Sequence, residues 1–163
     1  MMGRSLLIVG LLGTIAVAVA GALGFGVHSP ADPGMQQHVV AALVASLPIL
    51  FSHSWILLYL LGTGRMIRDA VREGGLAAEL LADSRRLRRA CYAWLLLAAG
   101  LVAADFLVGG AVAANAARPW VHQTLFWTAL AAQAIALWAE WRALAANERL
   151  MGEVDQRLVA AVG

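Results

Sequence analysis

Four long apolar stretches in a chain of 163 residues are the feature that most restricts the fold. They cover about residues 6–27, 39–61, 90–114 and 121–144. Each is long enough for the roughly 20 residues that an α-helix needs to cross a hydrocarbon core of about 30 Å. We therefore predict an all-α integral membrane protein, a single domain over residues 1–163 in which four transmembrane helices form one bundle.

The composition agrees with lipid as the main solvent. Hydrophobic residues make up 61% of the chain and charged residues 13%, and the mean hydropathy is +0.75. Soluble domains carry about 25% charged residues. Four spans in so short a chain leave no separate soluble domain, and a net charge of only +2 argues against a nucleic-acid partner.

The basic residues are all arginine, and their distribution predicts the orientation. Eleven of the twelve lie near the N-terminus, between the second and third stretches, or toward the C-terminus; Arg118 alone lies on the other side. Cytoplasmic segments carry the excess of basic residues. We expect both termini and residues 66–89 in the cytoplasm, residues 28–37 and 116–120 outside, and a bacterial inner membrane as the location.

The segment between the second and third spans is predicted to be a cytoplasmic helical hairpin. Gly62 and Gly64 are expected to end or bend the second helix. Residues 76–89 alternate leucine with charged residues in a pattern typical of an amphipathic helix. This hairpin either projects into the cytoplasm or lies on the membrane surface.

Small residues follow the first span at intervals of four. In lipid, helices associate through close backbone approach, which small side chains permit. This pattern indicates a packing face, either toward the other spans or toward another subunit. Its members are Gly10, Thr14, Ala18, Ala22 and Gly26.

Polar residues lie inside the apolar stretches and predict a polar seam. Ionisable groups facing lipid cost about 2.5–3.5 kcal/mol, so they are expected to face the bundle interior. One interpretation is proton or ion conduction along the seam, and the other is a hydrogen-bonded clasp that fixes helix register. The seam consists of His53, Asp105, Gln133 and Glu140.

His38 and His122 lie at similar depths on spans that run in the same direction. Two facing imidazoles in a helical bundle are typical of axial haem ligation. A b-type haem held by this pair is therefore one hypothesis, and histidines that merely bond water or headgroups are the other. Beyond such a haem iron, the sequence predicts no metal site.

The function favoured by the sequence is non-catalytic. We expect a small integral subunit that docks onto a larger membrane complex of the respiratory or photosynthetic type, with the lipid bilayer and other membrane subunits, or further copies of itself, as partners. Electron transfer through haem b and proton or ion conduction are the alternatives. The sequence shows no pairing of a nucleophile with a base and no closely spaced acids, so it does not predict an enzyme.

Overall fold

The computed structural model of the protein describes residues 2–27, 29 and 31–162, and these form four α-helices. His28 and Pro30, in the first predicted loop, lie outside the described residues. The all-α fold class is confirmed. The helices are α1 Met2–Gly24, α2 Gly34–Glu73, α3 Ala78–Ala113 and α4 Pro119–Val162.

Three helices are long and apolar enough to cross a membrane. They are α2, α3 and the segment Ser5–Gly24 of α1. The longest helix, α4, is not among them, and so this criterion does not confirm the fourth predicted span. Its apolar stretch includes Gln133 and Glu140, which are 1% and 0% exposed and therefore face the bundle rather than its surroundings.

The chain forms two helical hairpins, because α1 packs mainly on α2 and α3 mainly on α4. The helices α2 and α4 run in the same direction, and both have buried residues at the spacing typical of knobs-into-holes packing. The buried face of α2 recurs on α4 at a constant separation of 80 residues. The corresponding pairs are Ile49 and Ala129, Ser52 and Ala132, His53 and Gln133, Ile56 and Ala136, Leu60 and Glu140, Thr63 and Ala143, Gly64 and Leu144, and Ile67 and Asn147.

The two ends of the bundle differ. One end carries the last residue of α1, the first residue of α2 and the connection 114–118, and we call it the short-loop end. The other end carries the start of α1, the end of α4, the connection 74–77 and eleven of the twelve arginines, and we call it the arginine-rich end.

The predicted hairpin is an extension of α2 and α3 rather than a separate pair of helices. The helix α2 continues through Gly62 and Gly64 as far as Glu73. Each interior glycine costs about 1 kcal/mol in helix propensity, and packing of the extension outweighs this cost. The C-terminal half of α4 packs along the extension, which therefore projects from the bundle with a core of Ile67, Leu80, Leu150 and Val154.

The packing face of α1 departs from the predicted stripe of small residues. Gly10 is buried, Thr14 and Ala18 are half-buried, and Ala22 and Gly26 are exposed. A step of four residues advances about 40° beyond a full turn, so a stripe of five residues winds away from one face. The buried positions follow a closer spacing, and they are Gly3, Leu6, Gly10, Gly13 and Ala20.

Close approach of α1 and α2 depends on two of these glycines. A Cβ atom on Gly10 would lie 3.0 Å from the Ser52 hydroxyl oxygen, and one on Gly13 would lie 2.8 Å from Ile49 Cγ1. The Ser52 hydroxyl donates a hydrogen bond of 2.7 Å to the Leu6 carbonyl across this interface. Small residues therefore permit backbone contact between α1 and α2, as they do in other membrane helices.

Candidate functional site

Two histidines face each other near the short-loop end. His38 is the fifth residue of α2 and His122 the fourth of α4, and because these helices run in the same direction both side chains lie at the same depth. Their ring centres are 6.3 Å apart, and the planes of the rings are inclined by 63°. The predicted pair is therefore brought together.

Each of these imidazoles has an acceptor beside its Nδ1 atom. His38 Nδ1 lies 2.9 Å from the carbonyl oxygen of Ala20 on α1. A carbonyl only accepts, so this Nδ1 carries a hydrogen. His122 Nδ1 lies 2.9 Å from Asp105 Oδ1 on α3, an ion-pair contact without the angles of a hydrogen bond. Neither Nε2 has a hydrogen-bond partner within the described residues.

A glycine on the neighbouring helix makes room for each ring. A Cβ atom on Gly24 of α1 would lie 2.6 Å from His38 Cε1, and one on Gly109 of α3 would lie 3.0 Å from His122 Cε1. Real Cβ atoms do not approach as closely as the first distance, so only glycine fits beside His38 as the ring is placed. The two imidazoles are thus packed directly against helix backbones.

The two histidines line a cavity of about 330 Å³, which we call the histidine cavity. All four helices contribute to its walls. Along α4 it reaches from Pro119 to Gln133, a distance of about 21 Å at 1.5 Å per residue. The walls are mostly apolar, and sites for small molecules and cofactors have volumes of about 300–1,000 Å³ with similar walls.

A second polar cluster lies deeper in the bundle, between α2 and α4. His53 Nδ1 is 2.5 Å from Glu140 Oε1, and His53 Nε2 is 2.9 Å from Gln133 Oε1. The three side chains are at most 1% exposed. An amide oxygen only accepts, so His53 Nε2 carries a hydrogen, and a second hydrogen lies between His53 and Glu140. We call His53 and Glu140 the buried dyad.

Two polar atoms of this cluster lack partners within the described residues. They are Glu140 Oε2 and Gln133 Nε2, and both are buried. Leaving a buried polar atom without a hydrogen bond costs about 1–3 kcal/mol, so these two atoms are positions at which a water molecule, an ion or a proton would be stabilising. Gln133 also lines the histidine cavity, which makes it the connection between the cavity and the buried dyad.

The polar positions continue along α4 in steps of seven residues. Asn147 follows Glu140 at this spacing, and its Oδ1 accepts a hydrogen bond of 2.9 Å from the Thr63 hydroxyl. Asn147 Nδ2 is another buried atom without a hydrogen-bond partner among the described residues. Gln133, Glu140 and Asn147 therefore form a polar line from the cavity toward the arginine-rich end.

The structure divides the predicted seam into two parts. His53, Gln133 and Glu140 come together, whereas Asp105 lies beside His122 on the wall of the histidine cavity. The sequence analysis did not identify Gly24, Gly109, Thr63 or Asn147. Of these, Asn147 could have been predicted, because it extends the seven-residue spacing of Gln133 and Glu140. Gly24 and Gly109 could not, because the sequence does not show which side chains lie beside them.

The histidine pair does not belong to a larger cluster of metal-binding side chains. Within the described residues, no group of three or more His, Cys, Asp or Glu side chains has an arrangement that could hold a metal ion. A site that uses only two protein ligands fits a metal whose remaining ligands come from a cofactor. Searches against protein-family models, curated proteins and solved structures found no match to this chain.

Proposed function

We propose that the protein is a membrane-bound b-type haem protein that carries electrons, in which His38 and His122 would hold the haem iron. The observation that carries the proposal is the separation of the two rings. Two imidazoles that share one metal ion at about 2.0 Å would have ring centres about 6 Å apart, because each bound nitrogen lies about 1 Å from the centre of its ring. The ring centres of His38 and His122 are separated by 6.3 Å.

The surroundings of both ligands support the same proposal. Metal-bound histidines usually donate the second ring N–H to a carbonyl or carboxylate, which fixes the ring and leaves Nε2 for the metal. The Ala20 carbonyl and the Asp105 carboxylate lie at these positions. An elongated, mostly apolar cavity of about 330 Å³ suits a flat macrocycle better than a bare ion, which would need further protein ligands.

When bound, haem supplies one-electron redox chemistry. The chain's own residues would bind and orient it: His38 and His122 would hold the iron, and the contact of Asp105 with His122 Nδ1 would keep the His122 ring in place. Phe106 and Phe126 on the cavity walls limit the access of water. The cavity and the paired rings favour this function over a purely structural subunit, whereas docking onto a larger membrane complex remains compatible with it.

The same proposal includes the arrangement in the membrane. We propose that α4 is the fourth span, because its polar residues Gln133 and Glu140 are buried against α2 and do not face lipid. The arginine-rich end then lies in the cytoplasm and the short-loop end outside, as the distribution of arginine favours. A bacterial inner membrane is the location that we propose.

Absorption spectra of the purified full-length protein test the haem site. We expect a b-type α band after reduction with dithionite, and a low-spin electron paramagnetic resonance signal in the oxidised protein. His38→Ala and His122→Ala should each abolish the low-spin signal, because each removes one axial ligand. His28→Ala is the matched control, since it removes another histidine of the chain and should leave both signals unchanged.

Three results would contradict the proposal, and each has a different meaning. A colourless protein that also fails to bind added haemin would contradict the proposal. Haem that stays low-spin in both His38→Ala and His122→Ala would show that the ligands lie elsewhere, and loss of haem from His28→Ala would show that the assigned pair is wrong.

A further inference from the structure

Three arginines share one face of α3 just before its apolar stretch. With 3.6 residues per turn, Arg85, Arg86 and Arg89 lie within an arc of about 100°. All three are exposed, and together with Ala82 and Ala90 they line an open groove on the surface of the helix. No carboxylate is among the described residues that line it. We call this surface the arginine groove.

The three guanidinium groups have no partner in the described part of the chain. None of them takes part in a hydrogen bond or an ion pair there. By contrast, Arg65 and Arg68 of α2 lie 4.0 and 3.9 Å from carboxylate oxygens of Asp69. The nearest acids along α3, Glu79 and Asp83, are exposed and pair with none of the groove arginines. The arginine groove therefore presents three uncompensated positive charges, which favour an anion.

In a membrane crossed by α3, the arginine groove lies at the level of the lipid headgroups. The helix is long and apolar enough to cross, and its apolar stretch begins at Ala90. At 1.5 Å per residue, Arg89, Arg86 and Arg85 lie about 1.5, 6 and 7.5 Å before Ala90 along the helix axis. The headgroup layer is about 5–7.5 Å thick on each side of the hydrocarbon core. The long arginine side chains can thus reach phosphate groups in this layer.

The face of α3 that carries the groove continues toward the hydrocarbon core as an exposed apolar strip. Leu96 and Leu97 are 59% and 48% exposed, and Gly100 is exposed with no atom within 4 Å of an added Cβ. The helical repeat places these three residues on the same side of α3 as the arginines. A phosphate ester with acyl chains matches both parts of this face, whereas a nucleic acid has nothing to place on the apolar strip.

We propose that the arginine groove binds the phosphate of an anionic phospholipid from the leaflet at the arginine-rich end, and that the acyl chains lie along the exposed strip of α3. Guanidinium groups suit this role, because each can donate two parallel hydrogen bonds to phosphate oxygens. A zwitterionic lipid binds less well, since its own cation lies beside its phosphate. This inference rests on the proposed arrangement in the membrane and is independent of haem.

Native mass spectrometry of the full-length protein in detergent tests the site. Phosphatidylglycerol would be compared with phosphatidylcholine of the same acyl chains, and we expect the wild type to bind phosphatidylglycerol more tightly. The variant that combines Arg85→Gln, Arg86→Gln and Arg89→Gln should lose this preference. Each arginine near an anionic surface changes the affinity about fivefold, so the loss for phosphatidylglycerol should be about a hundredfold.

The variant that combines Arg65→Gln, Arg72→Gln and Arg149→Gln is the matched control. It removes the same charge from exposed positions at the same end of the bundle, outside the groove. It should keep most of the wild-type affinity. Equal losses in the two variants would overturn the inference, because they would show an effect of overall charge alone. Equal binding of both lipids by the wild type, or displacement of the lipid by millimolar inorganic phosphate, would also overturn it.

Photo-crosslinking of the wild type gives a second test that needs no variant. Phosphatidylglycerol with a diazirine near the top of one acyl chain, in vesicles that are otherwise phosphatidylcholine, should label residues 90–100. Label spread evenly over the four helices would contradict the inference. Lipid binding at the groove by a protein that takes up no haem would refute only the proposed haem function, so the two failures can be told apart.

Discussion

Histidines in this bundle have two different environments. His53 has both ring nitrogens engaged by side chains of α4, and it is 1% exposed. His38 and His122 contact neighbouring helices through Nδ1, and both residues line a cavity. A histidine with both nitrogens engaged is suited to hold protons, whereas one with a free Nε2 is suited to bind a metal.

Gly24→Ala should weaken haem binding by about tenfold or more, because changes in the support of a metal ligand have effects of this size. The added Cβ would lie 2.6 Å from His38 Cε1 and 2.9 Å from Nδ1, so the ring must move away from the Ala20 carbonyl. Titration of the apoprotein with haemin measures the affinity.

Gly100→Ala is the control for this prediction, because no atom lies within 4 Å of its added Cβ. It should bind haemin as tightly as the wild type. Equal affinity in Gly24→Ala would mean that the His38 ring is not held where the structure places it, or that it does not bind the iron.

For individual residues, the sequence predicted most members of the candidate site but not which of them contact each other. Helix periodicity gives the angle of a residue about its own helix, and it predicted inward positions for His53, Gln133 and Glu140. It does not give the rotation of one helix relative to the next. Asp105 was therefore assigned to the seam with His53, whereas the rotation of α3 places it beside His122.

Among the helices, α2 shows most clearly that tertiary packing can outweigh helix propensity. Its sequence contains Pro48, Gly62 and Gly64, yet the helix is continuous over Gly34–Glu73. Helix propensities amount to about 1 kcal/mol per glycine, and an extended contact with two other helices is worth more. Local signals predicted an end or bend at Gly62, and tertiary contacts of Ile67 beyond it keep the helix intact.

Gly62→Ala should raise the free energy of unfolding by about 0.5–1 kcal/mol, because alanine loses less backbone entropy in a helix. No atom lies within 4 Å of the added Cβ. Gly64→Ala should gain less, since its Cβ would lie 2.5 Å from Arg88 Cζ and the guanidinium must move. Unfolding in mixed micelles by added sodium dodecyl sulfate measures both; destabilisation by Gly62→Ala would mean that the helix needs a bend there.

For the whole molecule, hydrophobic length predicted the all-α class, and each of the four predicted apolar stretches lies largely within one of the four helices, three of which are long and apolar enough to cross a membrane. The boundaries differ because apolar runs mark only the part of a helix that suits lipid. The helices α2, α3 and α4 continue beyond these runs as amphipathic segments that bury Ile67, Leu80 and Val154 against one another. Hydropathy alone therefore made the predicted helices α2, α3 and α4 too short, and the extensions of α2 and α3 were predicted as a separate hairpin.

Cysteine labelling tests the proposed arrangement in the membrane. In a Cys91→Ala background, single cysteines would be placed at the exposed positions Ala82, Ala116 and Gly152. A membrane-impermeant maleimide added to intact bacterial spheroplasts should label position 116 and reach positions 82 and 152 only after lysis. Labelling of position 152 before lysis would contradict a crossing by α4.

The position of the histidine pair has a consequence for electron tunnelling, whose rate falls steeply with distance. His38 and His122 lie about 5–6 Å along the helix axis from the starts of α2 and α4, whereas the far end of α4 is about 60 Å from His122. Under the proposed function, a redox partner at the short-loop end would come within tunnelling range of the cavity without entering lipid. A partner at the arginine-rich end would not, so the proposed haem would exchange electrons through one face.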